Sequence, residues 1–196
     1  MTIETKLTES LGVIWTESGD LELTALTRFL NGKDLDVQGL ISVAKTDTSK
    51  PYGRRVLFQN DDLEVMVASW TRGVSCAPHD HGGSSGAVRV LQGRSRHLVW
   101  SLVDGALQVV KEEIVEAGGV MVCGPDMVHS MGDDGAAEPL VTLHMYTKSV
   151  DHMVVYDLDA SETLVVEGSC GAWVPRDRPE MVRSRFKGMC TAESVR

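Results

Sequence analysis

The chain has 196 residues, of which 42% are hydrophobic and 24% charged, and a net charge of -9. That is enough chain for one domain with a substantial core, at an ordinary composition for a globular protein. An acidic balance without a long basic cluster argues against nucleic acid or an anionic membrane as main partner, and no apolar run reaches the roughly 18 residues of a membrane span.

The opening residues, Met1-Thr2-Ile3-Glu4-Thr5-Lys6, lack the basic flank and apolar stretch of a secretion signal, so a cytoplasmic location is expected. Leu7, Leu11 and Ile14 fall at helical spacing within residues 4–15. Asp20 is placed to cap a second helix over 21–30, which Asn31-Gly32 would close, and residues 34–44 suit a third. Residues 1–50 thus read as a helical cap on whatever follows.

From about residue 52 the pattern changes to short runs of β character separated by turn residues. The runs are 55–59, 63–68, 87–91, 97–102, 107–112, 120–123, 139–146, 152–158 and 163–167. Asn60-Asp61-Asp62, Asp104-Gly105, Gly118-Gly119 and Asp133-Asp134-Gly135 supply turns between them. Many short strands at this spacing point to a mainly β sandwich or jelly roll. Residues 169–196 carry no clear periodicity and read as an irregular tail. The expected organisation is a single domain over 1–196, with a cap at 1–50, a β-barrel at 51–168 and the tail.

The four cysteines, Cys76, Cys123, Cys170 and Cys190, are scattered without a Cys-x-x-Cys pair and read as free thiols in a reducing compartment. Among the six histidines, His79 and His81 are one residue apart. On a strand, positions i and i+2 share a face, so two imidazoles could reach one ion. Gly73, Gly86 and Gly93 bracket the pair, and the pattern Gly-x5-His-x-His-x4-Gly-x6-Gly resembles the first cupin motif. Gly119 to Pro125, followed by His129, resembles the second, with the histidine one residue closer to the proline than usual and Met127 in place of a glycine. His97, alternating with Val99 and without a glycine frame, reads as structural. The glutamate that a typical cupin places shortly after the second histidine is absent, since Ser84, Ser85 and Gly86 occupy that region. Three neutral imidazoles would leave an ion's full charge of two in place, favour an anionic ligand from the substrate, and keep coordination positions open.

Further matches narrow the likeness. Trp70 precedes His79-Asp80-His81, His144 follows His129 at an interval of fifteen residues, and Thr142-Leu143-His144-Met145-Tyr146 resembles a Ser-x-His-x-Tyr triad. Tyr52-Gly53-Arg54 resembles a Tyr-x-Arg element. Together, over residues 50–157, the chain resembles the thiol dioxygenase family, and within it the cysteine dioxygenases. The resemblance implies a cupin-type jelly-roll β-barrel in which His79, His81 and His129 hold Fe(2+). It also implies that Arg54, with Tyr52, binds the substrate carboxylate, and that Tyr146, His144 and Thr142 act beside the reacting atoms. The implied partners are a small-molecule thiol and dioxygen, and the implied product of L-cysteine is its sulfinic acid.

Vertebrate members of the family have a cysteine at the position of Gly86, cross-linked to the tyrosine matching Tyr146. Glycine cannot form that bond, so Tyr146 is expected free of it. The family's proline shortly after the tyrosine is missing too, with Thr147 and Lys148 there. The alternatives are turnover of 3-mercaptopropionate or another short mercapto acid, for which relatives tend to have glutamine at the position of Arg54, and a non-catalytic metal-binding sensor. Another metal-cupin activity is disfavoured by the missing glutamate and by the His144 and Tyr146 pair. A monomer or small homo-oligomer is expected.

Overall fold

The computed structural model describes residues 2–11 and 22–195. Three helices come first: α1 (Ile3–Leu11), α2 (Leu23–Leu30) and α3 (Val37–Val43). Residues 12–15 of the first expected helix, and the expected cap Asp20, lie outside the described residues. Helix α2 ends where Asn31 turns back, its backbone N–H and its side-chain amide both donating to Thr27 O, at 3.0 and 2.9 Å. Helix α3 begins later than the pattern suggests because Asp36 caps it, accepting the Gly39 N–H at 2.9 Å.

The strands among the described residues are β1 (Tyr52–Gln59), β2 (Glu64–Trp70), β3 (Gly86–Gln92), β4 (Arg94–Val103), β5 (Ala106–Glu116), β6 (Val120–Cys123), β7 (Val128–Asp133), β8 (Val141–Tyr146), β9 (His152–Asp157), β10 (Glu162–Glu167) and β11 (Val182–Lys187), followed by a short helix α4 (Ala192–Val195). Strand β11 corrects the expectation of an irregular tail. It is an edge strand paired only with β10, and Arg183 and Arg185 reach Glu167 and Glu162 on that neighbour. Such an edge is held by charge and ladder bonds, so it needs no apolar alternation.

One sheet has the order β1-β2-β8-β3-β6, and two three-stranded sheets have the orders β5-β4-β7 and β11-β10-β9. The two smaller sheets meet through His79, which bridges to His129 on β7 and to Val155 on β9. The sheets are not closed, so the jelly roll is two facing layers rather than a continuous barrel.

Alternation along β2 and β8 sorts side chains between two environments. Val65, Val67, Leu143 and Met145 face outward and pack with Leu7, Leu11, Leu26, Leu30 and Leu40 of the helices. Ala68, Trp70, Val88 and Val90 face inward, toward Met131, Met153, Val155 and Leu164 of the other layer. The large sheet is therefore covered on both faces, which explains why every residue of β2 and β8 is buried. Arg89, on the outward face of β3, fastens the cap by donating to the carbonyls of Leu30 and Gly32 at the C-terminal end of α2.

Replacing Arg89 with Met keeps the stem but removes those bonds. Urea unfolding should show a loss of about 1–3 kcal/mol, the worth of hydrogen bonds from one charged group. Metal affinity should not change, because Arg89 lies on the helix-covered face of β3, opposite the face that packs toward the second layer.

Candidate metal centre

The segment carrying His79 and His81 is held by its backbone on both sides. His79 N–H donates to His129 O at 2.9 Å, and His129 N–H returns to His79 O at 3.0 Å. On the other side Asp80 N–H donates to Val154 O at 3.0 Å and Tyr156 N–H to Pro78 O at 2.9 Å. Asp80, fully buried, has one carboxylate oxygen accepting from Val154 N–H at 2.8 Å and from Gly82 N–H at 3.1 Å. The turn after His81 runs through Gly82 at φ 61°, where a Cβ would come within 2.2 Å of His152 O. A side chain there would be strained twice over, by the left-handed backbone and by the collision.

These constraints bring His79, His81 and His129 together, with one ring nitrogen of each within 4.8 Å of the others. All three rings are buried. Burial pushes each imidazole pKa down, well below the ordinary value for His81 and His129, so the cluster is neutral and offers lone pairs. His79 Nδ1 donates to Ala77 O at 2.9 Å, which leaves its Nε2 bare. His81 Nδ1 is buried without a partner, and His81 Nε2 faces His129 Nε2 at 3.3 Å. Three buried imidazole nitrogens converging in this way fit a divalent cation. No carboxylate joins this group among the described residues: Ser84, where a typical cupin glutamate is approached, bonds the backbone of Lys148 at 3.1 Å.

A second set of polar side chains lies on the inward face of β8. Trp70 Nε1 donates to Thr142 Oγ1 at 2.9 Å, Thr142 Oγ1 is 2.8 Å from His144 Nε2, and His144 Nδ1 is 3.1 Å from Tyr146 Oη. The Tyr146 ring lies 4.9 Å from that of His81, centroid to centroid, and joins the two sets. Burial lowers the His144 pKa to about 3 and pushes the Tyr146 phenol well above its usual value, so both are neutral. The Tyr146 ring occupies the space over Gly86, where a Cβ would sit 2.5 Å from Cδ1 of the ring.

Tyr52 and Arg54 lie on the inward face of β1, opposite Trp70 and Ala68. Tyr52 is a wall: its ring centroid is 4.6 Å from that of Trp70, and its hydroxyl accepts the Ala172 N–H at 3.0 Å. Arg54 lines a cleft of about 550 Å³ together with Lys45, Lys50, Cys170, Trp173 and Arg178. Its neighbour Arg55 points the other way and pairs with Glu4 of α1 at 2.5 Å, so alternation separates the two arginines.

Two residues near the site were not apparent from the sequence. Glu64, directly across from Tyr146 and buried, has its carboxyl pKa raised by burial. His97 lies against the cluster: its Nε2 is 2.9 Å from His129 Nδ1, and its Nδ1 is 3.0 Å from Glu113 Oε1. Tyr156 faces a separate cluster with Val154, Val165 and Ala192, on the far side of β9.

A divalent ion bound only by the folded state should raise the unfolding temperature, by about 2.7 kcal/mol of stability at one hundred times Kd. Thermal melts with and without the ion should show that gain for the unsubstituted protein and none for His81→Ala.

A family model described as cysteine dioxygenase type I matches residues 10–159. Among solved structures, the chain is similar to an uncharacterized conserved protein with a double-stranded beta-helix domain from Klebsiella pneumoniae subsp. pneumoniae MGH 78578, at 16% identity, over 60% of this chain and 94% of that one, with a TM-score of 0.48. It is also similar to an oxalate oxidase at 16% identity, over 69% of this chain and 67% of that one, with a TM-score of 0.49. With the family match running from the helical layer through β9, the chain belongs to the cysteine dioxygenase type I family.

Proposed function

We propose that this protein is a non-haem iron thiol dioxygenase that adds both atoms of dioxygen to the sulfur of L-cysteine, giving cysteine sulfinic acid. The observation that carries the reading is the hydrogen-bond chain ending at Tyr146 beside the three histidines. Trp70 can only donate, so Thr142 Oγ1 accepts from it. If Thr142 gives its hydroxyl hydrogen to His144 Nε2, the neutral ring carries its own on Nδ1 and donates to Tyr146 Oη. In this arrangement no buried hydrogen along the chain is wasted, and the phenol's own hydrogen is left for a ligand in the cavity.

Ferrous iron, held by His79, His81 and His129, supplies the oxygen chemistry when bound. The protein's part is positioning. Tyr146, kept protonated by its burial, would donate to an anionic oxygen of the substrate. Arg54 receives the substrate carboxylate by a charge-assisted, bidentate contact. Tyr52 and Trp70 pack as the wall beside it. A metal-binding sensor without turnover would need neither the donor chain nor the arginine. A short mercapto acid without an amine is the second reading, because its carboxylate could use the same Arg54 clamp in the cleft that Arg54 lines.

Oxygen uptake by the iron-loaded protein, measured with cysteine, 3-mercaptopropionate, cysteamine and mercaptosuccinate, separates these readings. Cysteine should turn over fastest, and no uptake with any thiol would refute the enzyme. Arg54→Gln should lower kcat/KM for cysteine about 30-fold, equivalent to about 2 kcal/mol, and leave cysteamine, which has no carboxylate, unaffected. Peptide mapping should find Tyr146 unmodified; a thioether on it would overturn the reading of Gly86.

A further inference from the structure

We propose that His97 and Glu113 are positioning residues for the metal centre, locking His129 in the tautomer that presents its Nε2 lone pair to the ion. The inference rests on the three-histidine metal reading and deepens it. His97 lies on β4 and is 3% exposed, and Glu113 is its direct cross-strand neighbour on β5. Lys111 Nζ holds the other Glu113 oxygen at 2.8 Å, and Lys111 and His97 together keep this carboxyl below its usual range.

The direction of the chain follows from donor and acceptor counting. An ionised carboxylate only accepts, so the hydrogen between Glu113 Oε1 and His97 Nδ1 belongs to His97. An imidazole whose hydrogen sits on Nδ1 has only an acceptor left at Nε2. Its contact with His129 Nδ1, at 2.9 Å, requires the hydrogen to sit on His129. His129 Nε2, facing His81, is thereby bare. The other neighbour of His129 Nδ1 is Cys123 Sγ at 3.6 Å, a weak acceptor that could not hold the tautomer as firmly. A carboxylate at the end of such a chain also makes the ligand more basic, which strengthens its bond to a cation.

The three ligands are thus oriented by different means. His79 uses a carbonyl two residues away, His81 Nδ1 is buried without a partner, and His129 depends on side chains from two other strands. Loss of His97 should therefore be felt at His129 alone.

The test is cobalt(II) affinity by chelator competition under anaerobic conditions, with unfolding midpoints of the metal-free proteins measured alongside. His97→Leu should weaken cobalt binding about 10–100-fold, the usual effect of removing a partner of a metal-bound histidine. His97→Gln, whose amide oxygen can accept from His129 Nδ1, should recover most of it. A merely structural His97 would lower the midpoints without that order of affinities. Equal affinity of His97→Leu and the unsubstituted protein overturns the inference, as does a His97→Gln no better than His97→Leu. An unsubstituted protein that holds no cobalt overturns the metal reading and this inference with it. Should His97→Leu fail to fold, Glu113→Ala, at a partly exposed position, decides in its place: weaker binding is expected, and equal binding refutes.

Discussion

The structure depends on a very short piece of backbone, Pro78-His79-Asp80, paired on both sides. His79 and His129 exchange both of their ladder bonds, the closely hydrogen-bonded arrangement of an antiparallel pair. Asp80 and Pro78 make the equivalent contacts with β9, and the Asp80 carboxylate adds one more bond than a backbone could. This joins two three-stranded sheets into one layer and determines which side chains face inward. A slip of one residue would turn Asp80 into the cavity and both histidines out of it. The metal cluster is a consequence of register, and the buried aspartate between the histidines is what holds that register.

Two hydrogen-bond chains of opposite polarity then converge on the cavity. From one side, Trp70, Thr142 and His144 pass donors forward and finish at a phenol with a hydrogen to give. From the other, Glu113 accepts from His97 and His97 from His129, which finishes at a nitrogen with a lone pair to give. Both chains run through buried rings, where reversing a hydrogen would strand a buried polar atom at a cost of about 1–3 kcal/mol. The site is therefore polarised before any ligand arrives: lone pairs on the histidine side, a hydrogen on the tyrosine side.

Much of this was legible in the sequence, and the limits have physical causes. His79 and His81 announce themselves by strand periodicity, and the alternation of Thr142, His144 and Tyr146 places all three on one face of β8. Strand β7 was not recognised, although it carries His129, because Ser130 and Gly132 interrupt its apolar content. Gly132 is there so that the Val74 and Ser75 backbone can pass close by, and a Cβ would come within 2.4 Å of it. The partnership of His97 with Glu113 was hidden by a register shift. Counting back from the Asp104-Gly105 turn sets His97 opposite Glu112, but the irregularity between Val99 and Trp100 moves the pairing by one residue. Glu112 instead meets Arg96, at 2.7 Å, both half-exposed. A single bulge thus decides which of two adjacent glutamates reaches the interior.

The same reasoning clarifies what Gly86 does for Tyr146. Where vertebrate relatives tether the ring covalently, here the ring rests on a glycine floor and is bounded by the His81 ring and by His144. A tether would hold the ring whatever the state of its neighbours, whereas a hydrogen bond of 3.1 Å holds the hydroxyl only while His144 remains neutral and correctly oriented. The orientation is supplied by Thr142 and ultimately by the Trp70 indole, which packs against Tyr52 in the wall next to Arg54. The wall formed by Tyr52 and Trp70 and the phenol of Tyr146 are therefore linked through one continuous set of contacts, so a change that displaces Trp70 acts on both. Without a covalent link, the precision of this site resides in that buried chain, and the glycine provides the room in which the chain can set the ring.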